Sequence, residues 1–243
     1  MQAPDLPGAR WSIGLRSSGS TEREVERALA KGDIVRSWPM RGTLHVVAPE
    51  DLGWLLDVCG PRQAARAAKR RRDLDITDAE LAKAEEVARG TMTGGRIIRR
   101  DALLTLWQRA GISTAGQRAY HLLWNLGQSK RLVFGPPDEK QPTFALFDEW
   151  VRAPRNLDND EALAEFAGRY FASRGPATVQ DFAWWAGITL RDALAGGQIT
   201  TSETGLGCEA ASAFNAARLS LVPFIFQLPA ASFRRMCRPL VEM

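Results

Sequence analysis

Histidine and cysteine are scarce in this chain of 243 residues. His45 and His121 are the only histidines, and Cys59, Cys208 and Cys237 are scattered without any CxxC spacing. An odd, dispersed set of thiols excludes a disulfide framework, and two lone histidines exclude a zinc site. Glycine-rich phosphate loops and Ser-His-Asp arrangements are missing too, so no cofactor and no triad chemistry are expected. Long apolar runs are equally lacking. The most apolar stretch, Leu219 to Phe233, spans about 15 residues and contains Pro223 and Pro229, too short and broken to cross a bilayer. Met1-Gln-Ala-Pro-Asp5 has neither the basic nor the apolar region of a signal peptide. A soluble cytoplasmic protein, binding no metal and no membrane, is the expectation, and a monomer is expected.

What is present is an ordinary globular composition, 45% hydrophobic and 25% charged, with a net charge of +4 and a pI near 9.2. Such a length allows one large domain or two to three small ones. A mildly basic balance is compatible with nucleic acid without being diagnostic of it.

Helical punctuation recurs along the chain. Leu6, Ala9 and Ile13 share one face of a helical pattern. Thr21 with Glu24, and Thr77 with Glu80, have the spacing of capping boxes. The first of these predicts a helix stopping at Gly32, the second a helix reaching about Arg89. Pro49-Glu-Asp opens another helix, through Leu52, Leu55 and Leu56, that is expected to end at Gly60. Asp101 to Ala110, a Gly111-Ile-Ser-Thr break capped by Ser113 or Thr114, and Gln117 to Gln128 read as helix, turn and helix. Two short strands, Leu132-Val-Phe and Phe144-Ala-Leu-Phe, follow around a Gly-Pro-Pro loop, as in a winged helix. A second helix-turn-helix is expected over Glu161 to Ser173, Val179 to Ala186 (capped by Thr178) and Leu190 to Leu194. The fold class is mainly α with short β-hairpin wings.

The richest segment is Arg36-Ser-Trp-Pro-Met-Arg-Gly-Thr-Leu-His45, read as a strand, a Pro-Met turn and a second strand. Arginine and aromatic side chains on a rigid ribbon suit a charged, planar ligand, with DNA foremost. Arg36, Arg41 and His45 are its candidate contacts, while Trp38, Met40 and Leu44 suit core packing. Arg62, Arg66, Lys69, Arg70, Arg71 and Arg72 follow within Pro61 to Arg72 with no acid among them. That run fits either a solvated helix face or a phosphate-tracking one. Gln117, Arg118, Gln128, Lys130 and Arg131 are expected to face outward from the second helix of the winged unit, for DNA or for a protein partner. His121 reads as a packed helix residue, and Trp184-Trp185 as core more than as a base-stacking platform.

The string Val35-Arg-Ser-Trp-Pro-Met-Arg-Gly-Thr-Leu-His-Val-Val-Ala-Pro-Glu-Asp-Leu-Gly-Trp-Leu55, with Phe134-Gly-Pro-Pro and Ala177-Thr, resembles a bacterial winged-helix family, the AlkZ/YcaQ-type DNA glycosylases. The resemblance runs from about Gln2 to Leu194. It implies tandem winged-helix units that hold double-stranded DNA, and removal of alkylated purines or unhooking of interstrand crosslinks by N-glycosidic cleavage. It also implies a catalytic Gln-hydrophobic-Gln motif, matched here by Met1-Gln2-Ala3-Pro4-Asp5. Gln2 takes the first position; Pro4 stands at the second and brings no amide side chain. Asp5 is the nearest carboxylate that could substitute; the alternative is that Asp5 is the N-cap of the first helix and Gln2 a frayed terminal residue. The expected organisation is a partial first winged-helix unit over 1–95, a second over 96–153, a third helix-turn-helix over 154–196 and a divergent or artefactual tail over 197–243. The C-terminal β-barrel of the relatives is expected to be missing or divergent. A non-catalytic DNA-binding regulator or protection factor is the alternative function, and a protein-interaction scaffold a third.

Overall fold

The computed structural model describes residues 1–17, 20–138, 141–174 and 176–204, the side chains of 198–204 excepted. Most expectations for the tail, including Cys208 and Cys237, lie outside the described residues. Helix α1 (Leu6–Gly14) is capped by Asp5, whose carboxylate accepts from the Gly8 amide at 2.7 Å. Helix α2 (Glu22–Lys31) starts with the Thr21–Glu24 capping box and stops where Gly32 takes φ +74°. Strands β1 (Val35–Met40) and β2 (Thr43–Val47) form a hairpin.

Helix α3 (Pro49–Asp73) does not end at Gly60 as expected; it runs straight through Pro61. An interior proline loses a hydrogen bond and costs about 3 kcal/mol. Burial of Cys59, Gly60 and Gln63 on both sides of it holds the helix together regardless. Helix α4 (Asp78–Met92) begins at Thr77, whose hydroxyl accepts from the Glu80 amide. The carboxylate of Glu80, however, is paired with Arg118 rather than closing a capping box.

Strand β3 (Ile98–Arg99), helix α5 (Arg100–Arg109), helix α6 (Arg118–Gln128), strand β4 (Leu132–Phe134) and strand β5 (Thr143–Leu146) come next. Neither Ser113 nor Thr114 caps α6, because Thr114 Oγ instead accepts from Gln108 Nε2 at 2.6 Å. A one-turn helix α7 (Phe147–Trp150) leads to α8 (Asn159–Arg174), α9 (Val179–Ala186) and α10 (Leu190–Thr204). Thr178 and Asp181 make a reciprocal capping box at α9, and Gly187 ends it with φ +74°. Helix α10 continues ten residues past the expected stop at Leu194. A side chain at Gly196 would sit 2.5 Å from the Leu163 carbonyl oxygen, so its absence lets α10 lie directly on α8.

The strands form one antiparallel sheet in the order β2-β1-β4-β5-β3. The wing-like hairpin β4–β5 is therefore not free-standing; Phe134 pairs with Arg36 of β1. Three apolar clusters flank the sheet. The first gathers α3, α8 and α9 with Trp54, Phe166 and Phe182. The second packs α4, α5 and α6 around Trp107 and Trp38. The third is smaller and joins α1 and α2 to Ala3, Ile34 and Val46. Asp51, only 3% exposed, accepts from Trp54 Nε1 at 3.1 Å and pairs with Arg169, tying α3 to α8. No helix among the described residues is long and apolar enough to cross a membrane.

Trp38 lies flat against α6 at Gly127, where an added Cβ would come 2.8 Å from the indole. Trp38 is buried between α6 and β4 and has no free space to retreat into. Alanine is favoured over glycine inside a helix by about 1 kcal/mol, whereas overpacking a filled core costs about 1–3 kcal/mol. Gly127→Ala is therefore expected to lower stability despite its better helix propensity, measured by urea unfolding.

Candidate nucleic-acid interface

The β1–β2 turn falls at Arg41-Gly42, two residues later than the expected Pro-Met turn. Both central residues have positive φ, 52° and 68°, as a two-residue type I′ hairpin requires. Proline cannot adopt that conformation, so Pro39 and Met40 stay in β1, at the register shift between Ser37 and Met40. The turn thrusts Arg41 onto Gly187, at the end of α9. A Cβ there would meet Arg41 Cγ at 2.7 Å. Gly187 is thus required twice, by its positive φ and by this close approach.

Residues 1–3 add to the open edge of β2. The Ala3 amide donates to the Leu44 carbonyl at 2.7 Å, the Val46 amide to the Met1 carbonyl at 2.8 Å, and Gln2 stands directly across from His45. Arg36 locks this segment from below. Its guanidinium donates to the Ala3 carbonyl at 2.9 and 3.1 Å and to the Pro4 carbonyl at 3.0 Å, and it lies 5.1 Å from the Phe134 ring centre. Arg36, expected to contact DNA, instead anchors the strand that carries Gln2. Asp5 is engaged as the cap of α1, which corrects its reading as a stand-in carboxylate.

Gln2 and His45 line a cleft of about 320 Å³ with Met1, Ser12, Arg16, Met40, Arg41, Arg174, Trp184 and Trp185. A second cleft of about 470 Å³ continues past Arg41 and Trp184 and is lined by Arg62, Arg66, Gln180 and Ile188 among others. Among the described residues, no carboxylate lines either. Trp184 is 75% exposed where the two meet, while Trp185 packs inward beneath Arg174, whose guanidinium lies 4.5 Å from its ring centre. Reading the Trp pair as core holds for Trp185 and fails for Trp184. Consecutive helical residues point about 100° apart, so only one of two neighbours can face a core behind the helix. That geometry is a signal the dipeptide carried.

His45 is 1% exposed and cannot serve as an outward phosphate contact. Burial holds its imidazole neutral, with the pKa pulled down to about 3. Nδ1 lies 2.9 Å from the Thr43 carbonyl oxygen. A carbonyl only accepts, so Nδ1 carries the proton and Nε2 is left as an acceptor.

The remaining expected contacts divide. Arg41, Arg62 and Arg66 come together along the second cleft, with Arg62 also donating to the Ile188 carbonyl. Others are engaged within the protein and do not form one outward surface. Lys69 pairs with Asp73 at 2.8 Å, Arg70 donates to Gln117 Oε1 at 2.6 Å, and Arg71 pairs with Asp78. Lys130 pairs with Asp57 at 2.7 Å and Arg131 with Glu85 at 3.2 Å. Arg118 is nearly enclosed, bonded to Glu80 and to the Leu74 and Asp75 carbonyls, so it braces α6 against α4. Gln128 turns inward and donates to the Trp38 carbonyl at 2.6 Å. Arg16 and Arg174 had no local pattern to single them out; α1 and α8 bring them to the cleft.

Residues 1–218 match the AlkZ-like DNA glycosylase family. This chain belongs to that family. An interstrand DNA cross-link repair glycosylase of Streptomyces sahachiroi is 24% identical over 198 residues, covering 77% of this chain and 52% of that protein. The chain thus spans about half the length of the curated relative it matches. The structure of the DNA glycosylase AlkZ from Streptomyces sahachiroi superposes with a TM-score of 0.63 at 24% identity, over 79% of this chain and 53% of the other. This likeness shows that the mainly helical architecture with its small antiparallel sheet is the AlkZ fold. In this AlkZ-like chain, Gln2 lies beside His45 at one end of an arginine-lined channel, and Pro4 is exposed and does not line it.

The neutral state of His45 has a consequence for stability. Its pKa is about 3 folded and 6.5 free, so between those values only the unfolded chain takes up the proton. The contribution is complete above the free value and is lost as pH falls towards the folded one, at about 1.4 kcal/mol per pH unit. Replacing His45 by Gln should remove one proton's worth of that slope, measured as urea stability from pH 7 down to about pH 4.

Proposed function

We propose that this chain binds duplex DNA along the channel formed by Arg16, Arg41, Arg62, Arg66 and Arg174 and presents an alkylated purine to Gln2. The observation that carries this reading is the lining itself. Among the described residues, five arginines and no carboxylate line the two clefts, and the single histidine there is held neutral. Such a site attracts phosphates and has no general acid to offer a leaving base. Only a base that departs without being protonated suits it, and a purine alkylated to the cationic state is such a base. Excision then needs a positioned water and a dipole facing the sugar, both within the reach of an amide side chain. The family supports glycosidic-bond chemistry, and the cross-link repair relative supports cross-linked DNA as the lesion class.

Exposed Trp184 supports a base drawn out of the stack, since a tryptophan face at the channel gives an extruded or opposing base something to stack on. The tandem arrangement belongs to the same proposal. A partial first unit over 1–95, a winged helix over 96–153 and a helix-turn-helix over 154–196 each contribute to the channel wall or to its support. A second reading, non-catalytic binding by a regulator or protection factor, is favoured by Pro4, which supplies no amide where the family motif has its second Gln.

Two measurements test these readings. Duplex affinity should fall steeply with salt, and Arg41→Ala or Arg66→Ala should each weaken it and lower the salt slope by about one unit. Excision of 7-methylguanine from a duplex oligonucleotide should be lost in Gln2→Ala with binding retained. Salt-sensitive binding with no excision by the parent chain selects the regulator, and no binding at low salt rejects both.

A further inference from the structure

His45 carries a hydrogen-bonding atom that nothing among the described residues satisfies. Its Nε2 is fully buried and has no partner, although the ring lines the same cleft as Gln2. The Thr43 carbonyl fixes the tautomer, so Nε2 is an acceptor with a lone pair to fill. A buried acceptor left empty costs about 1–3 kcal/mol, and native structures fill such positions with water or ligand. Gln2 is the cross-strand neighbour of His45 on one side. Directly opposed residues project from the same sheet face with Cβ atoms about 5 Å apart, close enough for one water to touch both side chains. Ser37 is the neighbour on the other side, and its buried Oγ is also without a partner. Three polar side chains thus stand in a row across the sheet, and the row opens into the arginine channel at Gln2.

We infer that His45 Nε2 and the Gln2 amide together hold the water that attacks the sugar, so that His45 does the work of the amide missing at Pro4. This rests on the glycosylase reading above. In the step, the water oxygen bonds to C1′ of the deoxyribose as the C1′–N9 bond breaks. The bonding electron pair goes to the cationic alkylated purine, which leaves neutral. The water's proton passes to bulk solvent, and a hydroxyl remains on C1′. An imidazole that stays neutral orients the water without retaining the proton, so the rate should be level across neutral pH.

The test compares His45→Asn with His45→Gln in the full chain. Asparagine can still donate to the Thr43 carbonyl but stops short of the Nε2 position; glutamine places an amide oxygen near it. Single-turnover excision of 7-methylguanine from a duplex should fall about 100-fold in His45→Asn, with duplex affinity preserved, and be largely restored in His45→Gln. Equal rates for His45→Asn and the parent chain, or equal losses in Asn and Gln, would overturn the proposal. Histidine ¹⁵N resonances supply a readout independent of turnover. His45 should show a protonated Nδ1 and a hydrogen-bonded Nε2 that shifts when a duplex carrying a tetrahydrofuran abasic analogue binds. A protonated Nε2, or one that does not respond, refutes the water site even in an active protein. An inactive parent chain whose Nε2 does respond instead refutes the excision reading and keeps the water site.

Discussion

Strand β1 is the constraint on which the rest of this molecule depends. It is hydrogen-bonded on one side to β2 and on the other to β4, so two hairpins distant in sequence share one sheet. Its ends face different tasks. Arg36, near the start, holds the Ala3 and Pro4 carbonyls and thereby the strand bearing Gln2. Trp38, in the middle, fills the space above Gly127. The turn after Met40 drives Arg41 into Gly187 at the end of α9. One six-residue strand therefore sets the relative placement of the N-terminal segment, the wing-like hairpin and α9.

Placement of charge follows from that scaffold. Most basic side chains that looked available are engaged by neighbours: Lys69, Arg71, Arg118, Lys130 and Arg131 all meet carboxylates. Apart from the enclosed Arg118–Glu80 pair, such exposed pairs contribute about 0–1 kcal/mol each, and they remain open to competition from phosphate. The channel is different because its arginines face one another's neighbourhood with no carboxylate among the described residues lining it. Concentrated positive charge between low-dielectric walls is where a polyanion gains most. The histidine beside it is neutral chiefly through burial, to which the neighbouring N-terminus and Arg41 add.

Much of the fold was legible locally. The caps at Thr21, Thr77 and Thr178, the stop at Gly187 and the apolar faces of α1 and α6 all rest on interactions within a few residues. Local rules failed where a distant contact outweighed them. Pro61 did not end α3, since buried residues on either side outweigh the lost hydrogen bond. Leu194 did not end α10, since Gly196 allows contact with α8. Arg36 was conspicuous in sequence for the right reason, a guanidinium seeking oxygens. Those oxygens turned out to be carbonyls at residues 3 and 4.

By itself the sequence determined the family, through the uninterrupted string around Trp38 to His45, and with it the mainly helical class and DNA as the expected partner. It also determined that Gln2 lacks its second amide, because Pro4 is a matter of covalent chemistry. Only the tertiary structure decided which cations share a surface, that Trp184 is free while Trp185 is not, and that His45 sits buried beside Gln2 with an unfilled acceptor. The physical reason is range. Caps, turns and residue identity act over a few positions, whereas a channel is assembled from β1, α1, α3, α8 and α9, whose proximity no local spacing encodes.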